Sequence, residues 1–211
     1  MRKKRAIPVK TKPTFAFVVD GECEVWYLQM LKRNEKSLTV TIEPQIPQKK
    51  SLFDQFELVK RLSIDYNQVF WIIDLDVIIR ESIQKRKGNK SPLQILSEYE
   101  KELKQYPKVV LIKNNPCIEF WLLLHFEFTT KTFDKCTDAE KQLKKHLADY
   151  EKTRNYYTKS GNDIYLKLKN NLKIAKANSE RFIKLHSGDS SQSFSEMHLL
   201  FDNKEFSKIV G

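Results

Sequence analysis

The run "QVFWIIDLD", residues 68–76, decides the fold. Apolar side chains follow one another from Val69 to Ile73 without alternation, and two acids, Asp74 and Asp76, close the run around a single leucine. An unalternating apolar strand is one covered on both faces, which is the situation inside a parallel sheet flanked by helices. Packing gives no reason to end such a strand in two carboxylates. Working outward, "TFAFVVD" (14–20) is a second buried strand that ends at Asp20 and turns at Gly21. Val25, Leu28 and Leu31, with Tyr27 beside them, set a helical spacing after it. "LTVTIEPQI" (38–46) reads as a strand, and Ser51 with Asp54 caps a helix carrying Phe53, Phe56, Leu58, Val59 and Leu62. Residues 77–90 read as a polar, basic connection. Ser91, Pro92 and Gln94 open a helix to about Tyr106. "KVVLIK" (108–113) is a further strand, and Pro116 starts a strongly apolar helix. Strands and helices thus alternate, predicting an α/β fold with a mostly parallel sheet flanked by helices.

The pattern changes after residue 134. Thr137 and Glu140 cap a lysine-rich helix to about Tyr150, "TRNYYTKSGN" (153–162) is a loop, and one helix spans about Asp163 to Leu185. "HSGDSSQSFS" (186–195) reads as a polar loop before a closing helix. Three segments follow: a flexible basic arm at 1–13, an α/β domain at 14–134, and a basic helical extension at 135–211 packed on it.

Among 211 residues, 40% are hydrophobic and 11% aromatic, enough for a real core. No apolar run reaches the length of a membrane span, and no apolar stretch follows the basic N-terminus as a signal peptide requires. Cys23, Cys117 and Cys136 are far apart and form no CxxC or zinc spacing, so they read as reduced and the protein as cytoplasmic. The net charge of +11 is uneven: residues 135–184 carry a net +7, while residues 14–134 balance. Concentrated positive charge suits a polyanion, since neutralised phosphates release counterions. A solvated lysine-rich helical face has the same composition.

In parallel α/β sheets ligands bind beyond the carboxyl ends of the strands. Adjacent strands lie roughly 4.8 Å apart. If the strands ending at Asp20 and Asp74 are neighbours, their carboxylates converge with Asp76, two residues on and so on the same side of a strand. Glu24, four residues after Asp20, projects to the same rim. Carboxylates so close repel one another unless a cation neutralises them, and hard oxygen donors suit Mg²⁺ or Mn²⁺. An acid at a strand end is also a common helix cap, and D-x-D alone does not choose between the two.

Three blocks bear on that choice. "FVVDGECEVWYL" (17–28) and "VFWIIDLD" (69–76) resemble the two motifs of TOPRIM domains, and "NNPCIEFWLLLHFE" (114–127) resembles the signature of the RloB-like family, bacterial proteins linked to restriction and abortive-infection loci. "YEK" (150–152), "NNLKIAKAN" (170–178) and "SSQSFSEMHLL" (190–200) resemble the family's C-terminal helices more loosely. The resemblance implies a TOPRIM-like sheet and a metal-dependent nuclease cleaving DNA or RNA phosphodiesters in phage defence. It implies Mg²⁺ or Mn²⁺ held by Asp20, Glu24, Asp74 and Asp76, with Glu119 joining the catalytic acids. The first TOPRIM motif normally has Glu where this chain has Asp20, one methylene shorter. That departure, and the absence of any GxxxxGK[ST], leave open a non-catalytic nucleic-acid or nucleotide-binding subunit working with a partner ATPase or another defence-locus protein.

Lys113, Lys152, Arg154 and Lys159 are the candidate phosphate contacts, with Tyr150, Tyr156 and Tyr157 interleaved for base stacking. Gly21, Asn115, Pro116, Trp121 and His125 are candidate supporting residues. Pro116 reads as a helix start, Asn115 as a phosphate contact or cap, and Trp121 and His125 as parts of an apolar helix.

Overall fold

The computed structural model describes residues 12–19, 21–36, 38–43, 50–84, 88–186 and 191–210. The strands are β1 (Thr14–Val18), β2 (Thr39–Glu43), β3 (Gln68–Asp74), β4 (Val109–Asn115) and β5 (Phe194–Ser195). They form one sheet in the order β2-β1-β3-β4-β5. The first four are parallel, and β5 runs antiparallel to β4. The chain is therefore α/β with a mostly parallel sheet, as its sequence predicts. β1 and β3 are neighbours, with Val18 opposite Trp71, and Asp74 lies opposite Asn114 of β4.

Strand alternation sorts the unbroken apolar runs into two cores. Phe15, Phe17, Phe70 and Ile72 face one side, where helices α1 (Glu22–Asn34), α5 (Ile118–Leu124), α6 (Cys136–Leu143), α7 (Arg154–Thr158), α8 (Ile164–Lys169) and α10 (His198–Asp202) contribute to the packing. Ala16, Val18, Val69, Trp71 and Ile73 face the other, against α2 (Leu52–Asp65), α3 (Leu75–Ile83) and α4 (Pro92–Leu103). Helix α9 (Leu172–His186) serves both cores, through Ala175 and Phe182. Two of the helix starts read from sequence are capping boxes. Ser51 Oγ accepts from Asp54 N while Asp54 Oδ2 accepts from Ser51 N, and Ser91 with Gln94 repeats the exchange.

Several elements differ from the sequence reading. β3 ends at Asp74, and α3 begins at once, so Asp76 sits in a helical first turn and not on the strand. Residues 75–83 are helical because Leu75, Ile78 and Ile79 pack on the second core; the lysines further on masked that apolar stripe. β4 extends through Asn115, the Asn115–Pro116 bond is cis, and α5 starts only at Ile118. The helix expected over 163–185 is two, interrupted at Asn170–Asn171. The lysine-rich helix stops at Leu143. The closing helix ends at Asp202, where Asn203 Oδ1 accepts from the amides of Glu205 and Phe206 and offers the backbone an alternative turn. The "HSGDSSQSFS" loop contains β5. The extension thus adds a strand to the sheet as well as packing α6 and α9 on α5 and α7 and α8 on α1. Most of the basic arm, residues 1–11, lies outside the described residues. No helix among those described is long and apolar enough to cross a membrane.

Candidate functional site

The carboxyl ends of β3 and β4 form the site's floor. Asp74 stands at the N-cap of α3 but makes no side-chain bond to that helix. Its Oδ1 accepts from Asn114 Nδ2 at 3.2 Å and its Oδ2 from the Ile118 amide at 3.3 Å. Ile118 is the first residue of α5, whose own N-cap, Cys117, supplies no side-chain bond, so Asp74 caps the neighbouring helix. Ser195 Oγ donates to Asn114 Oδ1 at 2.8 Å, which fixes the amide and turns its NH₂ toward Asp74. Asn115 donates its Nδ2 to the Gln192 carbonyl at 2.7 Å, tying the same strand end to the extension.

Asp76 is held through its backbone. Its amide donates to the Pro116 carbonyl at 3.1 Å, and its Oδ1 accepts from the Val77 amide at 2.7 Å. It opens onto a cleft of about 550 Å³ whose wall includes Arg80, Asp134, Lys135 and Cys136. Arg80 and Lys135 are exposed cations lining the same cleft. Sequence reasoning missed both, because residues 77–90 read as a loop and no motif marks Lys135.

Beyond the end of the neighbouring strand β1, Gly21 is the N-cap of α1 and Glu24 lies in that helix's first turn, 3% exposed. A Cβ on Gly21 would stand 1.9 Å from Glu24 Oε2, so the carboxyl group folds back directly over the glycine. Gly21 has an ordinary extended φ of −103°, and the glycine is needed for space alone. Asp20, the remaining predicted acid, lies outside the described residues. Among the described residues, Glu24, Asp74 and Asp76 do not close into a trio with ligand atoms within 4.8 Å; the trio that does is Cys117, Glu119 and Cys136.

Glu119 is occupied in its own cluster. It is 1% exposed. Lys152 Nζ pairs with its Oε1 at 2.8 Å, Tyr150 OH donates to the same oxygen at 2.8 Å, and Cys136 Sγ lies 2.8 Å from Oε2. Tyr150 in turn meets Tyr157 OH at 2.6 Å. Burial works against the Lys152 charge, but the Glu119 carboxylate more than offsets it and raises the lysine's pKa above its ordinary value. Lys152 is thus the counter-ion of a buried acid. The cysteines also depart from the sequence reading, for Cys117 and Cys136 are joined in a disulfide with Cα atoms 5.7 Å apart. Their nineteen-residue separation carries no motif, and only the packing of α6 on α5 brings them together.

The other predicted contacts divide. Lys113 is paired with Glu100 at 2.5 Å and Glu196 at 3.7 Å. Arg154 and Lys159 are exposed at the two ends of α7. Tyr150, Tyr156 and Tyr157 are core residues and present no faces for base stacking. Trp121 and His125 are fully buried. His125 Nδ1 lies 3.0 Å from the Trp121 carbonyl, and its Nε2 has no partner among the described residues.

Burial pushes the His125 imidazole down to about 4. The unfolded chain binds that proton with a pKa near 6.5, so below pH 6.5 the unfolded state holds more protons and stability falls until about pH 4. The penalty approaches about 3 kcal/mol at full shift. Urea unfolding of the wild type and a His125→Phe variant at pH 7.5 and pH 4.5 checks this: the wild type should lose more stability by roughly 1–3 kcal/mol.

A family model described as RloB-like protein matches residues 15–203. No curated protein and no solved structure matches the chain.

Proposed function

The chain belongs to the RloB-like protein family, and from that premise we propose that it is a metal-dependent nuclease of TOPRIM type, cleaving DNA or RNA phosphodiesters in phage defence. The observation that carries the reading is the placement of Asp74 and Asp76 at the carboxyl end of β3, with Asp76 opening onto a cleft flanked by Arg80 and Lys135. Carboxylates beside cations suit a phosphate backbone: the cations bind its oxygens and the acids hold the ion.

Carboxylate oxygens of this kind suit a hard divalent cation, Mg²⁺ or Mn²⁺. Asp74, Asp76 and Glu24 would hold it, with Asp20 as the further acid expected from the sequence. Asp74 accepts from the Asn114 amide and the Ile118 backbone N–H, and Asp76 accepts from the Val77 amide. The ion when bound supplies a polarised phosphate and a more acidic water. Asn114 and the Ile118 amide orient Asp74, and Arg80 and Lys135 bind substrate phosphate and steer it by charge. The net +7 of residues 135–184 adds positive charge for a polyanion.

A second reading has its own observation. The three described acids do not close into a compact trio, which suits a non-catalytic nucleic-acid or nucleotide-binding subunit acting with a partner ATPase. Calorimetric titration with Mn²⁺, followed by product analysis on labelled DNA and RNA oligonucleotides, separates the two. Saturable binding that depends on Asp74 and Asp76, with shortened products, supports the nuclease. Nucleic-acid binding without either supports the second reading.

Gly21→Ala offers a local test. The added methyl displaces the Glu24 carboxyl group, and Mn²⁺ affinity should fall by roughly tenfold, the scale of losing a group that orients a ligand. Stability should fall by roughly 1–3 kcal/mol, because the backbone there suits any residue but the methyl displaces a buried carboxyl group. Calorimetry and urea unfolding on the same variant read both effects.

A further inference from the structure

We propose that Cys117 and Cys136 are a reversible thiol–disulfide pair, exchanging with low-molecular-weight disulfides, whose closure holds the segment that positions Asp74 and Asp76. The inference stands on the sulfur geometry and not on the nuclease reading. The two sulfurs differ in access. Cys117 is 2% exposed, whereas Cys136 is partly exposed and lines the 550 Å³ cleft. A small disulfide or thiol entering the cleft meets Cys136 first, and Cys117 is the resolving partner behind it.

The surroundings of Cys136 suit exchange. Lys152 Nζ lies 3.0 Å from its sulfur and Glu119 Oε2 lies 2.8 Å away. When an external thiolate attacks the Cys136 sulfur, a mixed disulfide forms there and Cys117 departs as the thiolate; the ammonium acts on the return path, where it stabilises the Cys136 thiolate that attacks a small disulfide. In the reduced form the thiol donates to the Glu119 carboxylate, which the same lysine keeps neutralised. Re-oxidation balances as two exchanges. The Cys136 thiolate attacks a small disulfide, forming a mixed disulfide and expelling one thiolate. The Cys117 thiolate then attacks the Cys136 sulfur and expels the second. The two thiol protons end on the expelled thiolates, and the protein's two electrons have reduced one small disulfide to two thiols.

Cys117 sits between the two residues that hold the aspartates. The Pro116 carbonyl on one side accepts from the Asp76 amide at 3.1 Å, and the Ile118 amide on the other donates to Asp74 Oδ2 at 3.3 Å. Linking Cys117 to α6 therefore restrains both anchoring bonds at once. Cys23 is an internal contrast. It is a free thiol and does not line the cleft. A metal is the competing use of Cys117, Glu119 and Cys136, but the Lys152 ammonium, at 2.8 Å and 3.0 Å from two of the three donors, takes the cation's place.

The test uses the full chain in glutathione buffers of graded potential, quenched by alkylation and mapped by peptide mass. Expected are a linked 117–136 peptide pair in oxidising buffer and alkylated Cys136 in reducing buffer. Amide exchange at Asp76 and Ile118 should run roughly tenfold faster in the reduced form. In Cys136→Ser both amides should exchange at the reduced rate whatever the buffer. The proposal is overturned by thiols that stay unlinked across the range, by equal protection of the two amides in both forms, or by about one zinc ion per reduced chain that Cys136→Ser loses. None of these readouts measures cleavage, so a failure here is distinct from a failure of the nuclease reading.

Discussion

An Asp74→Asn protein is expected to lose metal-dependent cleavage by roughly a thousandfold or more, the scale of removing a principal electrostatic group from a phosphoryl site. The substitution removes the charge and keeps one acceptor oxygen. Since Asp74 accepts one bond from Asn114 and another from the α5 amide, the variant keeps one of these anchors and should fold. Asp74→Ala loses both and should cost a further 1–2 kcal/mol of stability, as removal of a helix cap does. Nucleic-acid binding should be unchanged or tighter in both, since a negative charge leaves the cleft. The pair of variants separates the two roles of this residue: a helix cap alone predicts that Asp74→Asn cleaves at the parent rate, and that result would sink the metal site.

Trp121→Ala should destabilise the fold by about 3–5 kcal/mol, the range for an aromatic removed from a closed core. Trp121 is 0% exposed, its indole N–H donates to Tyr27 OH at 3.4 Å, and it stacks on Phe201 at a centroid distance of 5.6 Å. It therefore joins α5 to α1 and α10 across the first core. Trp121→Phe should recover much of the loss. Urea unfolding measures both. A Trp121→Ala protein as stable as the parent but unable to bind nucleic acid would instead place the indole at a ligand.

The parallel sheet was legible because its determinants are local. Val69 to Ile73 and Phe15 to Val19 are apolar without a break, and Ser51–Asp54 and Ser91–Gln94 announce their helices within four residues. Asp74, Asp76 and Glu24 could be named for the same reason: they follow strand ends that composition marks. What escaped depends on distant partners. Asp76 moved from strand to helix because Ile78 and Ile79 find a core that the sequence does not display. Glu119, read as an acid of the rim, is neutralised by Lys152, thirty-three residues later, in a pairing without periodicity. The same holds for the Cys117–Cys136 link and for the three tyrosines, whose spacing looks like a stacking surface and whose burial makes them core. Asn114, the residue that orients Asp74, is marked only by Ser195, which is distant in the sequence.

The bond from Ser195 to Asn114 spans 81 residues of chain. Synthesis proceeds from the N-terminus, so a growing chain has β1, β3 and β4 long before it has that hydroxyl. Asp74 and Asn114 then exist side by side with the asparagine amide free to turn, and β4 remains the sheet's bare edge until β5 arrives. The last strand to be made is the one that sets the orientation at the first acids' floor. Completion of the site thus waits on the segment that carries β5, and a product truncated before Ser195 lacks the organised carboxylate.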